Sequence, residues 1–159
     1  MKILVHIATQ SLALLDEAGA VLRRYAVSTA LRGAGEESGS FCTPRGRHVI
    51  RARIGAGCPV NTVFVRRRPT GEIYTPALSE QFPGRDWILT RILWLSGCEV
   101  GYNRLGKRDT MRRYIYIHGT PDTEPVGQAL SHGCIRMHNA DLLELFEQVS
   151  VGTNVEIVE

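Results

Sequence analysis

Ser131-His132-Gly133-Cys134-Ile135-Arg136-Met137 is the stretch around which the chain organises, together with Tyr114-Ile115-Tyr116-Ile117 running into His118-Gly119-Thr120. A thiol stands between glycine-bearing turns, with imidazoles close by in sequence. A thiol beside imidazole can form the thiolate that attacks carbonyls near neutral pH. Small residues around such a nucleophile let backbone N–H groups approach a developing oxyanion, a role open to Gly133 and Cys134. The pattern points to cysteine acyl-transfer chemistry with Cys134 as nucleophile.

Working outward, Tyr114–Ile117 reads as an apolar β-strand delivering His118 at its end, where loops carry functional groups on a rigid frame. The spacer from His118 to Ser131 contains Pro121, Pro125 and Gly127, so the chain can fold back and bring His118 to the thiol as general base and acid. Downstream, Asn139 is a candidate helix cap with Asp141 in the first turn. Leu142, Leu143, Leu145, Phe146 and Val149 then make a helical stripe, and Gly152 suits the helix end. Asn154–Val158 reads as a final strand.

Upstream, Met1–Ala8 reads as a strand. Leu12–Leu15 and Val21–Thr29 form a hairpin pattern across Asp16–Ala20. Gly33–Gly39 reads as a loop, and His48–Ile54 and Val60–Arg66 as half-exposed strands. Gly84–Gly97 is read as a strand, with a short helix as the alternative. The expectation is one mostly β domain over residues 1–159, with a helix packed after the Cys loop.

The chain has 159 residues, with Lys plus Arg 19 and Asp plus Glu 16, a net charge of +3 that is too mild to argue for nucleic acid. Two basic clusters, Arg66-Arg67-Arg68 and Arg104–Arg113, read as solvated loop tips; a carboxylate-rich substrate is the sharper alternative. No apolar run is long enough to span a bilayer, so no membrane insertion is expected. Residues 1–10 lack a signal-peptide pattern, which predicts a cytoplasmic protein if Met1 is the start and a periplasmic one if an upstream signal precedes it. Cys42, Cys58, Cys98 and Cys134 make no Cys-x-x-Cys pair, so reduced thiols are expected. His118, His132, Cys134 and His138 match no usual zinc spacing, and zinc would quench the nucleophile, so no metal and no cofactor is expected. His132 reads as supporting the site, Ser131 as bonding within the turn or meeting substrate, and Arg136 as a carboxylate-binding group or an ion-pair partner. Trp87 and Trp94 read as core. Asn103, Asp109 and Arg113 carry no role readable from spacing, and Cys42 stands next to Thr43-Pro44.

His118-Gly119, the spacer and Ser131-His132-Gly133-Cys134-Ile135-Arg136 resemble the signature of the L,D-transpeptidase catalytic domain of YkuD type. Thr43-Pro44-Arg45-Gly46 resembles that family's Thr-Pro-x-Gly segment. The resemblance covers nearly the whole chain and implies a β-sandwich-like fold of mixed sheets. It implies catalysis by Cys134 and His118, a Gly119 carbonyl that orients the His118 ring, and Arg136 on the substrate side. The implied substrates are peptidoglycan stem peptides or soluble muropeptides. The implied reaction cleaves between an L-centre third residue and a terminal D-alanine. Without an export signal, hydrolysis as an L,D-carboxypeptidase of muropeptide recycling is expected first. Cross-linking or D-amino-acid exchange comes next, and a catalytically silent muropeptide-binding module last. A papain-like protease fits less well, because His precedes Cys here.

Overall fold

Alternating apolar residues in β1 (Lys2–His6) and β2 (Ser11–Leu15) place Ile3, Val5, Leu12 and Leu14 on one buried face, fully or almost fully excluded from solvent. This is the computed structural model of the chain, and it describes residues 1–159. The remaining elements are β3 (Val21–Ala26), β4 (Gly46–Ile54), β5 (Thr62–Val65), β6 (Arg68–Ile73), α1 (Pro76–Gln81), β7 (Leu89–Gly97), β8 (Tyr116–Thr120), β9 (Ile135–His138), α2 (Asn139–Gln148) and β10 (Asn154–Val158).

The strands form one curled, mixed sheet in the order β3-β2-β1-β10-β4-β7-β5-β6, with β8 branching from β7 and β9 pairing β8. The expectation of a mostly β fold with mixed sheets and a helix after the Cys loop holds. Two strand pairs are parallel, β1 with β10 and β8 with β9. Both are joined by long connections, as parallel pairing requires. The main core gathers Ile3, Val5, Leu12, Leu14, Ile50, Leu93, Leu95, Ile117, Ile135 and Met137 against Leu142, Leu145 and Phe146 of α2. Burying the α2 stripe on the sheet is what holds a helix of 10 residues, too short to be stable alone. No helix is long and apolar enough to cross a membrane.

Several boundaries differ from the sequence reading. Tyr114 is not in a strand: its φ is 58°, a turn conformation, and β8 runs from Tyr116 through Thr120. His118 therefore sits mid-strand rather than at a strand end. His138, not Asn139, is the α2 N-cap, and it makes no side-chain cap hydrogen bond. The Asn139 side chain is instead drawn into buried polar contacts: Thr90 Oγ1 donates to its Oδ1 at 2.6 Å and its Nδ2 donates to Asn61 Oδ1 at 2.9 Å. Satisfying those buried groups outweighs the cap. Gly152 lies beyond the Val149 cap, at φ 92° in the turn into β10. Gly84–Gly97 is a strand only from Leu89. Helix α1 and strand β6 carry no clear periodicity and were not read from the sequence.

Candidate active site

The register of β8 and β9 builds the site. Ile117 pairs Ile135 and His118 pairs Arg136 in parallel. Successive side chains on a strand point to opposite faces. Ile117, Ile135 and Met137 enter the core. Tyr116 and His118 on one strand, with Cys134 and Arg136 on the next, therefore share the opposite face. All four line one pocket of about 350 Å³, together with Asp86, Ile88, Ser131, His132, Arg66, Arg67, Arg113 and Tyr114.

His118 is almost wholly buried, and its Nδ1 lies 2.7 Å from the Gly119 carbonyl oxygen. That contact assigns Nδ1 as the protonated nitrogen and leaves Nε2 as the basic one. Gly119 has no room for a side chain: a Cβ there would collide with Asn139 Oδ1 and the Leu89 carbonyl. Burial pushes the His118 imidazole below its ordinary range. The Cys134 sulfur accepts the Tyr116 N–H at 3.3 Å and donates to the Tyr114 carbonyl at 3.3 Å. Burial pushes this thiol up to about 12. Desolvation thus disfavours both charges of the thiolate and imidazolium that a thiol beside imidazole could form.

The Cys loop is shaped from both sides. Ser131 Oγ donates to the Cys134 carbonyl at 2.6 Å and accepts the Gly133 N–H at 3.2 Å. The Ser131 hydroxyl thus bonds within the turn while the residue lines the pocket. The same bond engages the Gly133 N–H, so of the two oxyanion donors expected, only Cys134 keeps an N–H without a partner. Gly133 has φ 132°, and a Cβ would lie 3.3 Å from the Cys42 carbonyl, so it supplies a backbone shape rather than a donor. Thr43, from the Thr-Pro-x-Gly segment, donates through Oγ1 to the Gly133 carbonyl at 2.9 Å and accepts the Ala30 N–H at 2.9 Å. Arg113 reaches into the same region, with Nη2 2.6 Å from the Cys42 carbonyl oxygen. The role left open for Arg113 is thus to fasten the 35–42 loop beside the pocket. Asp109 accepts the Leu105 and Arg112 N–H groups at 2.6 and 2.9 Å and orders the next loop. Asn103 ties that loop to β4, donating to the Arg45 and Arg47 carbonyls at 3.0 Å.

Asp86 has no motif around it, and the sequence reading missed it. Its Oδ1 accepts from Arg136 at 3.0 Å and its Oδ2 lies 3.7 Å from His132 Nδ1. Arg136 therefore makes the ion pair that was one of its two readings, and it also lines the pocket. His132 is exposed, on the outer wall. Trp87 is buried, whereas Trp94 is half-buried beneath Arg67. Arg66 and Arg67, read as a loop tip, occupy the tight turn between β5 and β6 and reach the pocket.

A thiol just before β9 and an imidazole on the parallel strand β8, with a Thr-Pro-x-Gly segment bracing the Cys134 loop, match the arrangement expected of an L,D-transpeptidase catalytic domain. The chain belongs to that family: the profile of the YkuD L,D-transpeptidase catalytic domain matches residues 1–157. Among curated relatives, "Probable L,D-transpeptidase YbiS" of Escherichia coli (strain K12) is 45% identical over 111 residues, which is 67% of this chain and 35% of that protein. Among solved structures, an L,D-transpeptidase from Mycobacterium smegmatis aligns over 99% of this chain and 58% of its own, with a TM-score of 0.61 at 20% identity. The L,D-transpeptidase LdtMt1, solved in complex with imipenem, aligns with a TM-score of 0.55 at 17% identity over 98% of this chain and 57% of its own. The chain thus spans about a third of that curated relative and under two thirds of these solved structures.

Proposed function

We propose that residues 1–159 act as one catalytic domain, a cysteine acyl-transferase working on peptidoglycan stem tetrapeptides of soluble muropeptides, with water as the principal acceptor. The observation that supports this reading is one pocket lined by both Cys134 and His118, with Cys134 two residues before the Arg136 that pairs His118 and with the Cys134 N–H unpaired. The substrate class follows from the family, whose members act on such peptides. In the first half-reaction, the Cys134 sulfur bonds to the carbonyl carbon of the L-centre third residue as its proton passes to His118 Nε2. The carbonyl oxygen takes up negative charge, which the Cys134 N–H stabilises. The C–N bond to D-alanine then breaks, and His118 returns the proton to the leaving amine. A water molecule next gives a proton to His118 and its oxygen to the thioester carbon, and the C–S bond breaks to restore the thiol.

Water is the acceptor because the site is not covered. Cys134 is half-buried, and the flanking Tyr114 and His132 are exposed. Transfer to an amine is the second reading, and one feature favours it. A neighbouring cavity of about 200 Å³ shares Asp86, His132 and Arg136 with the first and adds Glu124, giving an incoming amine two carboxylates to meet. Incubating the protein with a disaccharide tetrapeptide and weighing the products separates the cases. Loss of one D-alanine is expected. A cross-linked dimer or an exchanged D-amino acid would assign the acceptor as an amine, and an unchanged substrate would overturn acyl transfer.

The resting proton distribution gives a pH signature. The base form of His118 is the neutral ring, and burial lowers its pKa, so it stays neutral to a more acid pH than a free imidazole. Log kcat/KM plotted against pH should be level through neutrality and fall only on the acid side, with an apparent pKa below the ordinary 6.5. A fall on the alkaline side as well, where an imidazolium would lose its proton, would mean a preformed thiolate–imidazolium pair instead.

A further inference from the structure

Arg66 and Arg67 make a turn that this backbone should not favour. β5 ends at Val65 and β6 begins at Arg68, so these two residues alone connect the hairpin. Their φ values are 51° and 64°. Two-residue hairpin turns with positive φ at both positions select Asn and Gly, because other side chains crowd the backbone there. Two arginines hold the positions instead, and strain of this kind concentrates where side chains bind ligands.

Both residues line the pocket that holds Cys134, and neither makes an ion pair. Arg67 is held in place without being neutralised. Its guanidinium lies 4.6 Å from the Tyr114 ring centre and 4.9 Å from that of Trp94, and its Nη1 donates to Tyr116 Oη at 3.0 Å. Aromatic faces and a phenol fix the fork geometry and leave its charge for something else. Arg113 is a third cation in the lining, and its guanidinium faces backbone carbonyls. The one carboxylate in the lining, Asp86, is already paired with Arg136. The pocket is therefore strongly cationic.

We infer that the Arg66-Arg67 turn is a carboxylate-binding element that selects acyl donors bearing free carboxylates beside the scissile bond over the same peptides with those carboxylates amidated. The inference rests on the acyl-transfer reading and names its substrate class. Arg67 presents a rigid bidentate face, and Arg66, exposed at the rim, adds attraction that salt screens.

Calorimetric titration of the Cys134→Ala protein with a free-acid tetrapeptide and with its side-chain amide tests this directly. The free acid should bind about tenfold or more tightly at low salt, the scale of one charge-assisted contact, and the gap should narrow as salt rises. The double variant Arg66→Asn/Arg67→Gly supplies the residues such a turn prefers, so its hairpin should be retained, as the melting curve will show. In that variant the preference should collapse toward unity. Arg67→Lys should retain part of it, because charge remains while the fork is lost. Equal affinities for acid and amide, or an unchanged preference in the double variant, would overturn the inference. Wild-type turnover of both peptides with equal kcat/KM would remove this selectivity and leave acyl transfer standing. Absence of any product from either peptide would overturn the acyl-transfer reading and this inference with it.

Discussion

Replacing Cys134 by alanine is expected to abolish release of D-alanine, a loss of at least about 10⁴-fold, because no other group in the pocket can take the acyl chain. The remaining cysteines do not substitute for it. None of Cys42, Cys58 and Cys98 lines the pocket, and Cys58 packs beside Phe64 and Ile92. The fold should survive. The sulfur contributes two contacts at 3.3 Å, one from the Tyr116 N–H and one to the Tyr114 carbonyl. Losing the acceptor costs about 1 kcal/mol. A melting temperature lower by only a few degrees is the corresponding result for a chain of this size. Product mass and a thermal melt on the same preparation check both statements. Activity persisting in a folded Cys134→Ala protein would end the assignment of the nucleophile.

His118→Ala should cost about 10²–10⁴-fold in kcat/KM, the range for removing a general base. Unlike the cysteine change, this one empties a buried position and strips the Gly119 carbonyl of its partner at 2.7 Å. A stability loss of about 1–3 kcal/mol is expected alongside it. His118→Gln separates the two effects, since its side-chain amide retains a donor for that carbonyl while offering no base. A folded His118→Gln protein as slow as the alanine variant assigns proton transfer to the ring. A loss under tenfold would move the base role to His132, which stands on the outer wall of the same pocket with Asp86 3.7 Å from its Nδ1.

Much of this architecture was legible in the residues. The spacing of Leu142, Leu145 and Phe146 announced α2, and the Leu12–Leu15 and Val21 runs announced a hairpin, because periodicity reports directly which face is buried. His118 and Cys134 were found because the motif around each is local. Asp86 was not, since it lies 50 positions from the Arg136 that it meets in the fold. Arg66 and Arg67 misled for a different reason: a two-residue turn with positive φ normally advertises itself by Asn and Gly, and here it does not. The protonation state of the thiol was also beyond reach. A sequence shows which groups are neighbours, but whether their charges survive depends on how much water the finished fold removes. Asn139 illustrates the same point on a smaller scale, because a good cap in isolation was claimed by Thr90 and Asn61 from elsewhere in the chain.

The parallel pairing of β1 with β10 joins Lys2 to Asn154 and His6 to Val158. On the ribosome, β1 must wait for β10, made about 150 residues later. Until then, the hairpin with β2 leaves one side of β1 with open N–H and C=O groups, an invitation to strand exchange between nascent chains. Closing a loop of this length late is entropically slow. Assembly should therefore end with β10 sliding home between β1 and β4. Loss of β10 would leave the middle of the sheet unzipped, far from the chemistry yet fatal to it.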